Sequence, residues 1–282
     1  MYTIKNEYLD ITFKADSCNF EITSLKFKDN EVCYQQNSSW KKTWPLLFPN
    51  CGAINGYIKY NGVKYPLPRH GFMKNINNWT IKSIYNDCAV LSFSSNCQFS
   101  KIYPFEFELD LILKVAKNVF SIDFVVKNVE DVDMYYSFGH HPAFKVDDSS
   151  KIVLESEETF FDSFTPEGLY LEDEQNKKKW KEIIIKDVDF SESKSYFCDT
   201  LRSSYLLYKN DSFEFKLPLN DYSTLGLWRD NNDSGFICIE PWCGMPDKSG
   251  NSDHDLKNKY KILKLNPKES KKISFEMIFN TN

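Results

Sequence analysis

The chain has 282 residues, 41% hydrophobic and 16% aromatic, with 40 acidic against 35 basic side chains and a formal net charge of −5. That balance, without a basic run or an arginine-rich helix, argues against nucleic acid as a partner. No stretch approaches the ~18 apolar residues of a membrane span, and Met1 to Glu7 lacks a secretion-signal core, so no membrane partner and a cytoplasmic location are expected.

Strand patterns dominate from the start. Leu9 to Lys14 alternates apolar and polar residues, and Ser24 to Lys28 does so again before Asp29-Asn30. Trp40 to Pro49 is aromatic and proline-bearing. Gly56 to Tyr60 and Val63 to Tyr65 flank Asn61-Gly62, the strongest short-range hairpin signal. Trp79 to Tyr85 and Ala89 to Phe93 flank Asn86-Asp87 as a second hairpin, and Phe105 to Val115 returns as Phe120 to Lys127. Later strands are expected at 151–155, 180–186, 203–208, 212–217 and 236–240, with a C-terminal pair of 259–264 and 272–279. Helical periodicity is nearly absent: Ser163 to Glu174 has room for one short turn, and Glu172 to Lys181 reads as a charged loop. No repeat or linker interrupts the chain, so residues 1–282 read as a single antiparallel all-β domain, a large β-sandwich of two packed sheets. Eight cysteines without a C-x-x-C spacing read as reduced thiols.

The chemistry gathers in two short stretches. In Phe236-Ile-Cys-Ile-Glu240-Pro-Trp242, strand alternation puts Glu240 on the face of Phe236 and Cys238, opposite Ile237 and Ile239. Burying a carboxylate is costly unless it is paired, and burial raises its pKa; a Glu turned to water at the strand end is the plainer reading. In Gly139-His140-His141-Pro142, adjacent histidines point to opposite faces, so only one can enter a pocket. They would not readily bind one metal ion together, although His70, His141 and Glu240 form a conceivable three-ligand set. His254 lies in a polar loop.

Leu47-Phe48-Pro49, Arg69-His70-Gly71-Phe72, Phe138-Gly-His-His141-Pro-Ala-Phe144 and Ile237-Cys-Ile-Glu240-Pro-Trp242-Cys-Gly-Met-Pro-Asp247 together resemble, in order, the motifs of the aldose 1-epimerase (galactose mutarotase) family, most closely its LacX-like branch. The resemblance implies a β-supersandwich with a sugar pocket on one sheet and no cofactor. It implies Glu240 as general base at the anomeric hydroxyl, His141 as general acid at the ring oxygen, and His70 as a sugar ligand. Arg69, Trp242 and Asp247 join His70 as candidate substrate-binding residues, and Trp242 and Phe144 are candidates to stack on the sugar. The family's arginine shortly after F-P is missing from Asn50 to Asn55, which leaves Asn55 or Arg69 to replace it. No motif places the family's aspartate between His141 and Glu240. Hemiacetal opening needs one proton removed and one delivered, which an imidazole and a carboxylate of raised pKa can do. The alternatives are a sugar-phosphate mutarotase, which needs a cationic cluster drawn from residues such as Arg69, Lys74 and Arg229, a non-catalytic carbohydrate-binding protein, and a hydrolase using Glu240 and Asp247.

Overall fold

Alternation places successive side chains on opposite faces of a strand, and the chain obeys it along most of its length. In the computed structural model, which describes residues 1–15, 19–36, 40–162, 164–171 and 176–281, Phe107–Ala116 and Val119–Asn128 pair antiparallel through ten registered positions. Leu109, Leu111 and Leu113 on one strand and Phe120, Ile122 and Phe124 on the other are almost wholly buried. Both short hairpins form, Ile58–Tyr60 with Val63–Tyr65 and Thr80–Ile84 with Cys88–Ser94. Asn61 and Gly62 both take positive φ, the backbone that matches the twist of a two-residue hairpin.

The largest sheet has 15 strands. Its hydrogen-bonded path runs from Leu46–Leu47 through Phe138–His140, Phe236–Cys243, Thr224–Trp228, Ser195–Cys198 and Lys151–Phe161. It continues through Tyr205–Lys209, Glu214–Pro218, Ser270–Phe279 and the long hairpin to Thr80–Ile84. Members far apart on that path nevertheless touch. Phe138 stacks on Phe124 with ring centroids 3.8 Å apart, and Trp44 and His140 lie 5.0 and 4.5 Å from Phe275. The sheet therefore curls back on itself, and its two halves form the layers of a β-sandwich around an aromatic core. The N-terminal strands Tyr2–Lys5, Leu9–Lys14, Glu21–Phe27 and Asn30–Glu31 make a separate sheet.

Two expectations need correction. The segments 259–264 and 272–279 do not pair with each other. Leu263–Leu265 pairs with Met134–Tyr136, whereas Ser270–Phe279 lies between Val119–Asn128 and Glu214–Pro218. The long strand buries every second residue from Ile273 to Phe279, so the core rather than the preceding segment sets its neighbours. The charged run is partly strand as well: Lys177–Ile184 pairs with Lys151–Phe161. Its lysines face water and Trp180 packs 5.3 Å from Phe160, the lysine-rich exterior of a strand that borders the sheet. Residues 163 and 172–175 lie outside the described residues; Thr165 to Gly168 closes a turn without a helix. No helix among the described residues is long and apolar enough to cross a membrane.

The strand Phe236–Cys243 is buried at every position. Ile237, Ile239 and Cys243 belong to the main core, while Phe236, Cys238 and Trp242 belong to two smaller clusters on the opposite face. Beside that face the chain crosses itself at Phe48 and Gly71. The Phe48 carbonyl accepts from the N–H groups of Phe72 at 2.9 Å and Met73 at 3.2 Å. Gly71 has φ +66°, and a Cβ there would stand 2.1 Å from that carbonyl oxygen. Gly71→Ala should therefore destabilise the protein by more than the ~1–2 kcal/mol of the left-handed backbone alone. A fall in Tm of at least ~4 °C by calorimetry is expected; an unchanged Tm would show that the crossing has room to relax.

Candidate active site

Glu240 is 2% exposed and sits opposite Gly226 on the neighbouring strand. A Cβ at Gly226 would lie 2.7 Å from the Phe197 ring and 3.3 Å from the Glu240 Cβ, so glycine makes room for the Phe197 ring and the base of the Glu240 side chain. His141 follows the strand Phe138–His140, and its N–H donates to the Pro45 carbonyl at 3.1 Å. The two histidines part as alternation requires. His140 is fully buried in the core, where its Nδ1 accepts from Trp44 Nε1 at 3.2 Å. His141 faces a cavity of about 900 Å³ shared with Glu240, and its Nε2 lies 3.3 Å from Glu240 Oε2. Trp40 stacks on the His141 ring at 5.1 Å and Trp228 meets it edge-on at 5.6 Å.

Arg69, His70 and Trp242 line the same cavity. The Trp242 indole donates to the His140 carbonyl at 3.1 Å and meets the His70 ring edge-on at 5.7 Å. A Cβ at Gly139 would fall 2.4 Å from that indole, which explains the glycine before the histidine pair. His70 has N–H donors facing both ring nitrogens: the Gly52 backbone at Nδ1 and Arg69 Nε at Nε2, each at 3.2 Å. A neutral imidazole has one acceptor nitrogen. Gly52 is held by its backbone, so Nδ1 accepts, Nε2 carries the proton, and the Arg69 contact is not a hydrogen bond. The exposed Arg69 guanidinium is thereby left uncommitted.

Burial governs the electrostatics. It raises the Glu240 carboxyl well above its ordinary range, with Arg69 opposing, and lowers His141 to about 3, the nearby Arg69 acting in the same direction. His70 is also pushed well down, first by burial and then by the charges of His141, Arg69 and Lys74. The contact between His141 and Glu240 thus favours one shared proton over a fixed ion pair. Beyond that contact, Glu240 Oε2 and His141 Nδ1 are buried without hydrogen-bond partners, leaving their capacity for a ligand.

Other expected residues lie elsewhere. Asp247 lines a neighbouring cavity, pairs with the nearly buried Lys259 and accepts the Asn55 N–H at 2.9 Å. Both of its oxygens are engaged there, and it does not line the cavity of Glu240. Asn55 donates its amide to the Asn251 carbonyl at 3.1 Å, so it too is absent from the cavity lining. Phe144 is wholly buried against Trp44 and Phe215 and cannot meet a sugar. Arg229 is consumed by the carbonyls of Phe236 and Ser234. His254 stacks on Tyr57 at 4.3 Å. Conversely, Trp40, Lys42 and Asp162 line the cavity without being foreseen, and Lys74, expected only as part of a cationic cluster, lines it too. Asp162 Oδ1 is buried and lacks a hydrogen-bond partner. It stands just past the strand Lys151–Phe161, and an aspartate leaving a strand carries no signal of its own in sequence. The three-ligand set is also revised. Among the described residues, His141, Cys238 and Glu240 bring donor atoms within 4.8 Å of one another, without His70.

Known proteins resemble this chain in sequence family and in fold. The aldose 1-epimerase family model matches residues 21–249. The plasmid-encoded protein LacX of Lactococcus lactis subsp. lactis is 28% identical over 295 aligned residues, covering 97% of both chains. A galactose mutarotase related enzyme from Lactobacillus acidophilus superposes with a TM-score of 0.86 at 24% identity, covering 99% of this chain and 97% of its own. A galactose mutarotase-like protein from Lactobacillus casei gives 0.84 at 19% identity, covering 99% and 100%. The fold of these structures is the fold of this chain, and the family match extends across both motif stretches: the chain belongs to the aldose 1-epimerase family.

Proposed function

We propose that the protein acts as one unit to interconvert the α and β anomers of an aldohexose, with Glu240 and His141 as its acid–base pair. The observation that carries this reading is their 3.3 Å approach on the floor of an open cavity. From the tautomer that carries the pair's shared proton on His141, Glu240 removes the proton from the anomeric hydroxyl as His141 protonates the ring oxygen, and the hemiacetal C–O bond breaks. Rotation about C1–C2 presents the other carbonyl face, and closure runs both transfers backwards. One proton stays on the pair at the beginning and the end, so no cofactor or covalent intermediate enters. His70 Nε2–H, Arg69 and the free oxygen of Asp162 hold the sugar's hydroxyl groups. Trp242 supplies an apolar wall.

Polarimetry of freshly dissolved α-glucose and α-galactose tests the pair. Glu240→Gln and His141→Asn should each slow mutarotation by ~10²-fold or more, whereas His140→Asn should act mainly on stability. A folded Glu240→Gln protein with full activity would remove Glu240 from the role. No acceleration by the unaltered protein with any hexose would favour a carbohydrate-binding protein instead.

The pH profile follows from the same pair. With His141 lowered from 6.5 to about 3 and Glu240 raised above 4.5, the singly protonated pair persists to lower pH than the ordinary values allow. In kcat/KM the acid limb, where a second proton binds, should fall below 4.5. An acid limb at or above 4.5 would mean that the pair titrates as if exposed.

One observation favours a phosphorylated hexose as a second reading. Lys42, Arg69 and Lys74 line the cavity together, and neither lysine has an ion-pair partner among the described residues. Arg69→Ala should raise KM for any hexose by ~10–100-fold with little change in kcat, the loss of one charge-assisted contact. Lys74→Ala should raise KM only for the 6-phosphate if the substrate is phosphorylated. Equal KM values for hexose and hexose 6-phosphate in both variants would exclude that reading.

A further inference from the structure

Cys238 has no part in the proton exchange, yet it stands beside it. Strand alternation puts its side chain on the face of Glu240, two residues away, under a wall that contains Trp40, Trp228 and Tyr34. Its Sγ, a His141 nitrogen and a Glu240 oxygen all lie within 4.8 Å of one another. The closest pair, His141 Nε2 and Glu240 Oε2, is 3.3 Å apart. Two donors each ~2.0–2.2 Å from one tetrahedral ion are ~3.3–3.6 Å apart, so these two already have the required separation. The thiol, within 4.8 Å of both, is the ligand that has to close in. Beyond the His141 contact that the ion would replace, Glu240 Oε2, nearly fully buried, has no hydrogen-bond donor to lose.

We propose that His141, Cys238 and Glu240 form a metal site for a borderline-soft divalent ion of the zinc class, whose binding blocks the acid–base pair. One sulfur, one nitrogen and one oxygen donor suit zinc and exclude magnesium or calcium, which require oxygen ligands. The fourth position opens into the cavity and takes a water or a sugar hydroxyl. Binding forms metal–S, metal–N and metal–O bonds. The Cys238 thiol and the protonated Glu240 carboxyl each release a proton to solvent, and the two anionic ligands offset the ion's two charges; no electron is transferred. Affinity therefore rises with pH. Arg69 opposes a cation, but it is exposed and free to turn away. While the ion is bound, the His141 lone pair and the Glu240 oxygen are unavailable to a hexose, so zinc acts as a reversible inhibitor. That consequence rests on the anomer-exchange reading above; occupancy of the site does not.

Two measurements separate these claims. EDTA-treated protein is titrated with cobalt(II) alone, and the near-ultraviolet thiolate-to-cobalt charge-transfer band is recorded with the visible bands of tetrahedral cobalt. Both should appear in the unaltered protein and in Cys88→Ala, which changes a thiol on a distant strand, and the charge-transfer band should vanish in Cys238→Ala. Cys238→Ser, nearly isosteric, repeats the test if the alanine variant does not fold. No charge-transfer band, or one that survives loss of the thiol, overturns the site. Mutarotation is then followed with added zinc, each variant against its own metal-free rate. The EDTA-treated protein should be fully active, and half-inhibition of the Cys238 variants should need at least ~10-fold more zinc. Equal zinc sensitivity overturns the inhibitory role. A protein inactive with every hexose but positive in the cobalt assay retains the metal site and loses only the reading of its reaction.

Discussion

The constraint on which the site depends is the Glu240 carboxyl taken out of water, its Oε2 facing only the His141 ring. Removing Glu240 from solvent is unfavourable, and the surrounding strand tolerates it because Ile237, Ile239 and Cys243 anchor the other face in the main core. Gly226 leaves space beside it, Gly139 lets the Trp242 ring lie flat against the neighbouring strand, and Gly71 lets the His70 loop cross Phe48. Each glycine stands where a methyl group would collide with the architecture around the carboxylate. The three are one requirement met in three places: backbone brought close enough to enclose an ionisable group.

That arrangement divides the work between core and site. His140 and His141 are sequence neighbours with opposite fates. One is locked between Trp44 and Phe275, and the other is turned into the cavity. Both are driven toward the neutral form by burial, but only His141 meets a partner with which a proton can be exchanged. The core histidine also holds the site, because its carbonyl accepts the indole proton of Trp242. Packing on one face thus fixes orientation on the other.

Period-two alternation made much of this legible. It placed Glu240 with Cys238 and separated the histidines, since both statements depend only on strand geometry. Turn chemistry located the hairpin at Asn61-Gly62. What was lost depends on contacts between distant segments. Asp247 looked like a site residue because it ends the Glu240 motif, but Lys259 and Asn55 engage it outside the cavity of Glu240. Phe144 shares a motif with His141, yet it is drawn into the core by Trp44 and Phe215. Asp162 and Trp40 enter the cavity from segments with no motif at all. The same limit applied to the partners of Ser270–Phe279, which tertiary packing rather than local pattern selects.

Three of the chain's six tryptophans, Trp40, Trp228 and Trp242, line the one cavity that holds His141 and Glu240. Indole emission responds to the polarity and quenching groups around the ring, and here imidazoles already lie against all three rings. Displacing water from this floor would change the surroundings of half the chain's fluorophores together. The protein consequently carries its own optical reporter of occupancy, readable without a label and without turnover.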